Sequence, residues 1–324
     1  MSFWKGRRVF VTGATGLLGG WLTEALLAEG AEVTVLLRDW IADSRAVSAG
    51  FLGRCNVVRG ELEDLAVVTR AINEFEIDSV FHLGAQAIVG TAVRSPLSTF
   101  ESNIKGTWTL LEAVRLCPKL VERVVVASSD KAYGDHETLP YTEDMPLQGR
   151  FPYDVSKSCS DLIALSYFHT WRMPIAVTRC GNLFGGGDLN FNRLIPGTIR
   201  SVLRNEAPII RSDGTLVRDY VYVRDAVEGY LRLAEALPGD GVSGEPFNFG
   251  PHQPLSVLAV VDHILAALGR TDLRPIILGE APHEIATQYL DCSKATRILG
   301  WRPTYSFERG LADTVAWYRE FLGA

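Results

Sequence analysis

The chain has 324 residues, 47% hydrophobic and 22% charged, with 38 acidic against 32 basic side chains and a net charge of −6. That is enough apolar material for a full core and too ordinary a composition for a disordered chain. The acidic balance argues against nucleic acid as the main partner, while leaving room for anionic ligands held by local arginines.

Five cysteines (Cys55, Cys117, Cys159, Cys180, Cys292) form no CxxC pair, which fits reduced, buried thiols in a cytoplasmic enzyme. Residues 1–8 run straight into a strand, leaving no room for a signal peptide. No apolar run reaches the roughly 20 residues that span a bilayer, so no membrane partner is expected.

In chain order, Arg8–Thr12 reads as strand β1, residues 18–29 as a helix closed by Gly30, and Glu32–Leu37 as strand β2. Asn56–Arg59 reads as a short strand, 65–75 as a helix, 79–83 as a strand and 103–116 as a helix. Residues 123–128 read as a strand, Pro152–Trp171 as a helix and 175–179 as a strand. β-Branched runs alternating with amphipathic helices predict an α/β fold with a Rossmann-type doubly wound parallel sheet over residues 1–180. After Gly181 the texture changes. Glycine, proline and arginine crowd 185–188 and 211–219, and helices return at Val223–Ala236, 257–268 and 307–321. Residues 181–324 are expected to form a smaller α/β substrate-binding region, with segments interleaved between the two parts.

Gly13, Gly16 and Gly19 follow β1 and open the first helix. A glycine turn between strand and helix lets the backbone approach a pyrophosphate, and the helix N-terminus offers free N–H groups and a positive dipole end. Thr15, Leu17 and Leu18 belong to the same expected dinucleotide loop. At the end of β2, Asp39 is placed to bind an adenosine ribose and favours NAD; Arg38 beside it suits a 2′-phosphate and leaves NADP open. Glu61 and Leu62 lie where the adenine edge is expected, although Glu61 reads equally well as a solvated surface acid.

Tyr153 and Lys157 stand four apart on one helix face. A neighbouring ammonium would lower the phenol pKa from its usual value of about 10. Tyr153 could then take a proton from a substrate hydroxyl while a hydride leaves. The 123–128 strand ends in Ser128-Ser129-Asp130-Lys131. A serine at the C-terminal end of a parallel strand faces the crevice where ligands bind, so Ser129 is expected on the reacting hydroxyl.

These segments resemble the extended short-chain dehydrogenase/reductase family of nucleotide-sugar enzymes. The resemblance is carried by the three glycines, by Phe81-His82-Leu83-Gly84-Ala85-Gln86, by Asn103 with Gly106-Thr107, by Ser128–Gly134 as 128–134, and by Tyr153 with Lys157. It continues through Arg179-Cys180-Gly181-Asn182, Arg218-Asp219 and residues 291–301. It implies NAD bound also by Leu83, Ala85, Gln86, Asn103 and Lys157. It implies a nucleotide sugar bound by Asn182, Arg193, Leu194 and Arg218, and a homodimer built on helices 103–116 and 152–171. Ser129-Asp130-Lys131, Gly185-Gly186-Gly187-Asp188 and Pro282-His283-Glu284 are similar to the CDP-glucose 4,6-dehydratase branch.

In that reading Asp130 is an acid for the C6 hydroxyl, kept protonated by burial. Lys131 acts at C5, as a base or as a stabiliser of an enolate. The bland reading of the pair is a capping Asp and a solvated Lys. The segment 216–223 looks more like epimerase relatives, so an NDP-sugar 4-epimerase using Ser129, Tyr153 and Lys157 stays open. A non-catalytic dinucleotide sensor is the remaining alternative. His82 reads as structural or cofactor-lining. His283 with Glu284 is too small a set for a metal, and none is expected.

Overall fold

A computed structural model describes residues 2–239, 241–280 and 284–323. Its centre is a seven-stranded parallel sheet. The strands β1 (Arg8–Thr12), β2 (Glu32–Leu37), β3 (Asn56–Arg59), β4 (Ser79–His82), β5 (Arg123–Ala127) and β6 (Ile175–Cys180) are arranged β3-β2-β1-β4-β5-β6. A seventh strand, Pro246–Phe249, returns from the C-terminal half to pair with β6.

Alternation along each strand divides the core between two faces. Phe10, Val124 and Val126 pack with Leu110, Leu111 and Val114 of the helix Gly106–Leu116. Val9, Val11 and Val125 face the other way, with Leu22 and Leu26 of the helix Leu17–Ala28 and Leu233 of the helix Val223–Ala236. These side chains are almost wholly buried, and each contributes roughly 1.5–3 kcal/mol.

Two boundaries differ from expectation for reasons that bear on the site. β4 stops at His82 because Leu83 and Gly84 turn their N–H groups onto Thr12 Oγ1, at 3.1 and 3.0 Å. The helix expected from residue 103 starts at Gly106, behind a wider π turn over Glu101–Lys105; such turns often carry a placed side chain. Here that side chain is Asn103.

The strand order reverses between β1 and β4, which is where an open α/β sheet has its crevice. Over the same edge lie three short strands. Val217–Arg218 pairs antiparallel with Leu255–Ser256 and parallel with Thr287–Gln288, so that Arg218 and Gln288 are register partners.

Candidate active site

The glycine turn sits at the crevice. Gly13 has a positive φ of 78°. A Cβ there would lie 2.8 Å from Gly84 N, and one on Gly19 only 2.0 Å from Gly13 O. The first helix therefore approaches β1 and β4 more closely than any side chain permits. Gly16 caps it without a side-chain hydrogen bond, which leaves the first-turn N–H groups beside Leu17, Leu18 and Gly19 open to an anion. Thr15 and Leu17 are half-buried on this turn, and Leu18 is buried.

At the end of β2, Arg38 Nε and Asp39 Oδ2 pair with each other at 2.6 Å, both largely exposed. Glu61 is exposed, whereas Leu62 packs against Gly106. Asn103 is buried, and its amide is fully engaged. Oδ1 accepts from Gln86 N at 2.7 Å, while Nδ2 donates to Gln86 O at 3.0 Å and Ser156 Oγ at 2.8 Å. It ties the loop carrying Leu83, Ala85 and Gln86 to the helix Pro152–Trp171. His82 lies between Thr12 Oγ1 (2.9 Å) and Thr107 Oγ1 (3.0 Å). Burial, with the Lys157 charge, pushes it down to about 3, so it is a neutral structural residue.

Beyond β5 the chain turns tightly. Ser129 Oγ accepts from Lys131 N at 3.2 Å and donates to Asp130 Oδ1 at 2.9 Å. Asp130 is 2% exposed, and its Oδ2 is buried with no hydrogen-bond partner among the described residues. Burial raises its carboxyl above the usual range, against the opposing charges of Lys131 and Arg218. Burial and then the Arg218 guanidinium lower the Lys131 ammonium. Lys131 Nζ donates to Gln288 Oε1 at 2.6 Å. Asp130 is thus neither a solvated cap nor a surface charge: it has a spare, desolvated oxygen.

Tyr153 lies in the first turn of the helix Pro152–Trp171. Its phenol is pushed up to about 12 by burial; Arg193 is the charge that most favours the tyrosinate, with the Ser129 hydroxyl adding to it. The expected Lys157 ammonium is held by the backbone of β5. Lys157 Nζ donates to Ala127 O at 2.7 Å, and burial pushes the ammonium down to about 8.

On the other wall, Arg218 is buried. It donates to Val217 O at 2.8 Å and Ala286 O at 3.2 Å, and pairs with Glu284 at 3.2 Å. Arg193 pairs with Asp188 at 3.0 Å and opens the helix Leu194–Leu203, with Leu194 its first residue. Asn182 N donates to Asp219 O at 2.9 Å, bringing the short strand Asn182–Phe184 alongside.

Sequence reasoning did not anticipate three groups. Gln288 sits on a two-residue strand that carries no periodic signal. Asp154 was legible only as the neighbour of Tyr153; it is buried, and its carboxyl is pushed up to about 6. Asp161 makes a two-pronged buried ion pair with Arg179, at 2.8 and 3.0 Å. Pro282 and His283 lie outside the described residues. Among the described residues no group of three or more His, Cys, Asp or Glu side chains is placed to hold a metal, and no helix is long and apolar enough to cross a membrane.

Comparison with known proteins bears on this geometry. A family model described as GDP-mannose 4,6 dehydratase matches residues 10–314. The chain belongs to this 4,6-dehydratase family. Among relatives of the family, the CDP-glucose 4,6-dehydratase of Salmonella typhimurium is 34% identical over 99% of this chain and 93% of its own length. A dTDP-glucose 4,6-dehydratase of Streptomyces venezuelae, solved with NAD bound, superposes with a TM-score of 0.87 at 31% identity, covering 98% of each chain. The UDP-glucose 4-epimerase of Thermotoga maritima, solved with UDP-glucose, has a TM-score of 0.86 at 26% identity, covering 97% of this chain and 99% of its own. The 4,6-dehydratase family thus shares its fold with epimerases, and side chains rather than backbone must separate the two reactions.

Proposed function

We propose that this protein is a nucleotide-sugar 4,6-dehydratase, converting an NDP-hexose to the NDP-4-keto-6-deoxyhexose. The observation that carries the reading is Asp130: a buried carboxyl whose hold on a proton is strengthened by burial, with one oxygen unpartnered, in the same turn as Ser129 and Lys131. An epimerase has no step that needs such an acid.

The glycine turn fits a dinucleotide, because its close approach and uncapped helix leave backbone donors for a pyrophosphate. NAD, when bound, would supply the hydride acceptor for C4 and the hydride returned to C6. Gly13, Thr15, Gly16, Leu17, Leu18 and Gly19 would hold its phosphates, and Asp39, Glu61 and Leu62 its adenosine end. Leu83, Ala85, Gln86 and Lys157 would line the nicotinamide side. NAD is favoured over NADP because the Asp39 carboxylate at the end of β2 suits the ribose hydroxyls and would repel a 2′-phosphate.

In this reading Tyr153 removes the proton of the C4 hydroxyl, which Ser129 holds by a hydrogen bond. Lys131, its ammonium lowered by burial and by Arg218, takes the proton from C5 as a base and returns it to C5 when the hydride reaches C6. Asp130 gives its proton to the C6 hydroxyl, which leaves as water. Arg218, Arg193, Asn182 and Leu194 hold the nucleoside diphosphate. Residues 1–180, joined by the Pro246–Phe249 strand, serve the cofactor, and the rest of 181–324 serves the sugar nucleotide. A homodimer belongs to the same proposal. It is supported by large apolar side chains left exposed on adjacent helices, among them Val93, Leu97, Trp108 and Leu162.

The test is mass spectrometry of CDP-, UDP-, dTDP- and GDP-hexoses after incubation with the purified protein and NAD. One of them should lose one water, and Asp130→Asn should slow that loss by roughly 10²–10⁴-fold. A new C4 epimer without a mass change would replace the reading with the epimerase.

A further inference from the structure

Lys131 has been assigned a proton transfer that an untethered amine would perform poorly. A lysine side chain has four rotatable carbons, and its head is free to turn unless something holds it. Here the holder is Gln288. An ammonium carries donors only, so the Gln288 atom 2.6 Å from Lys131 Nζ must be the carbonyl Oε1. Gln288 is fully buried. Its amide nitrogen is buried with no hydrogen-bond partner among the described residues, so the carbonyl bond to Lys131 is the polar contact that holds the side chain. Backbone fixes the residue as well, since the strand Thr287–Gln288 pairs with Val217–Arg218 and sets Gln288 beside Arg218.

We propose that Gln288 is a positioning residue for the elimination step: its carbonyl anchors the Lys131 amine between Asp130 and the Arg218 wall. The inference rests on the dehydratase reading above. A neutral acceptor suits this task. An amine can give one N–H to the carbonyl in either protonation state, which restricts where its remaining valences point. The charged groups acting on Lys131 are Arg218, which disfavours the ammonium, and Glu284 and Asp154, together with Asp130 when it is ionised, which favour it. An amide orients the amine without adding another carboxylate to that balance. It also links the two halves of the site, because a strand of the substrate region then holds the residue that acts at C5.

Two substitutions separate orientation from charge. Gln288→Met keeps the volume and removes the acceptor. Gln288→Glu keeps an acceptor and adds charge. In the free full-length protein, reductive methylation followed by peptide mass spectrometry gives the pH at which Lys131 is half reactive. That midpoint should fall in Gln288→Met and rise in Gln288→Glu, because a hydrogen bond or a negative charge favours the ammonium. With substrate and NAD, Gln288→Met should slow water loss by on the order of 10²-fold, the scale of a misplaced reacting group, while oxidation at C4 persists and absorbance of the reduced nicotinamide builds up. Gln288→Glu should recover most of that rate at higher pH. Unshifted midpoints, or water loss at the unsubstituted rate in Gln288→Met, would overturn the role of Gln288 alone. Absence of water loss in the unsubstituted protein would overturn the dehydratase reading and this role with it.

Discussion

Tyr153 and Lys157 show how residue types carry a mechanism while their surroundings set its terms. The pair is placed by one helix, but the phenol is pushed up to about 12 and its favourable charge comes from Arg193, forty residues on in a different element. Lys157 is held by the carbonyl of Ala127. Tyr153 remains the assigned proton acceptor at C4, with Arg193 and Ser129 opposing the rise that burial imposes on its phenol. Tyr153→Phe should reduce turnover by roughly 10²–10⁴-fold with NAD affinity retained, as read by cofactor binding and by product formation. Binding of NAD with no turnover by either protein would instead favour a non-catalytic sensor.

Among the elements, the first helix and the Pro152–Trp171 helix do most to build the site. The first is set by glycine. A Cβ on Gly19 would stand 2.0 Å from Gly13 O, backbone that cannot yield without parting helix from strand. At Gly20 the nearest atom is 3.3 Å away, on the side chain of Arg45. Gly19→Ala should therefore destabilise the protein by about 1–3 kcal/mol and abolish NAD binding. Gly20→Ala should be near neutral, since alanine gains up to about 1 kcal/mol over glycine in a helix. Thermal melts with and without NAD check both. The Pro152–Trp171 helix is fastened by Asn103 through Ser156 and by the Arg179–Asp161 pair, which joins it to β6. These ties keep Tyr153 and Lys157 at the mouth of the crevice.

For the whole molecule, the join between the two central strands carries a pH signature. His82 bridges Thr12 and Thr107 as a neutral ring. Its pKa falls from 6.5 to about 3 on folding, so between those values the unfolded chain takes up a proton that the folded chain refuses. Stability should therefore fall as pH falls from 6.5 towards 3, by at most about 1.4 kcal/mol per pH unit from this group. Asp154 and Asp219, each pushed up to about 6, tilt the other way between 3.8 and 6. The comparison that isolates His82 is with His82→Gln: the urea midpoint of the unsubstituted protein should fall, relative to that of the variant, as pH falls from 6.5 towards 3; parallel curves for the two proteins would show that His82 contributes none of it. By itself the amino-acid sequence determined the alternating α/β pattern, the glycine turn after β1, and the presence of Ser129, Asp130, Tyr153 and Lys157, because each is written in local periodicity or in spacing within one element. Only the tertiary structure decided the burial that raises Asp130 and lowers Lys131, the charge beside Tyr153, the bracing role of Asn103 and the place of Gln288. Those depend on burial and on partners brought from as far as 157 positions away, and no local pattern encodes which distant side chain will close over a crevice.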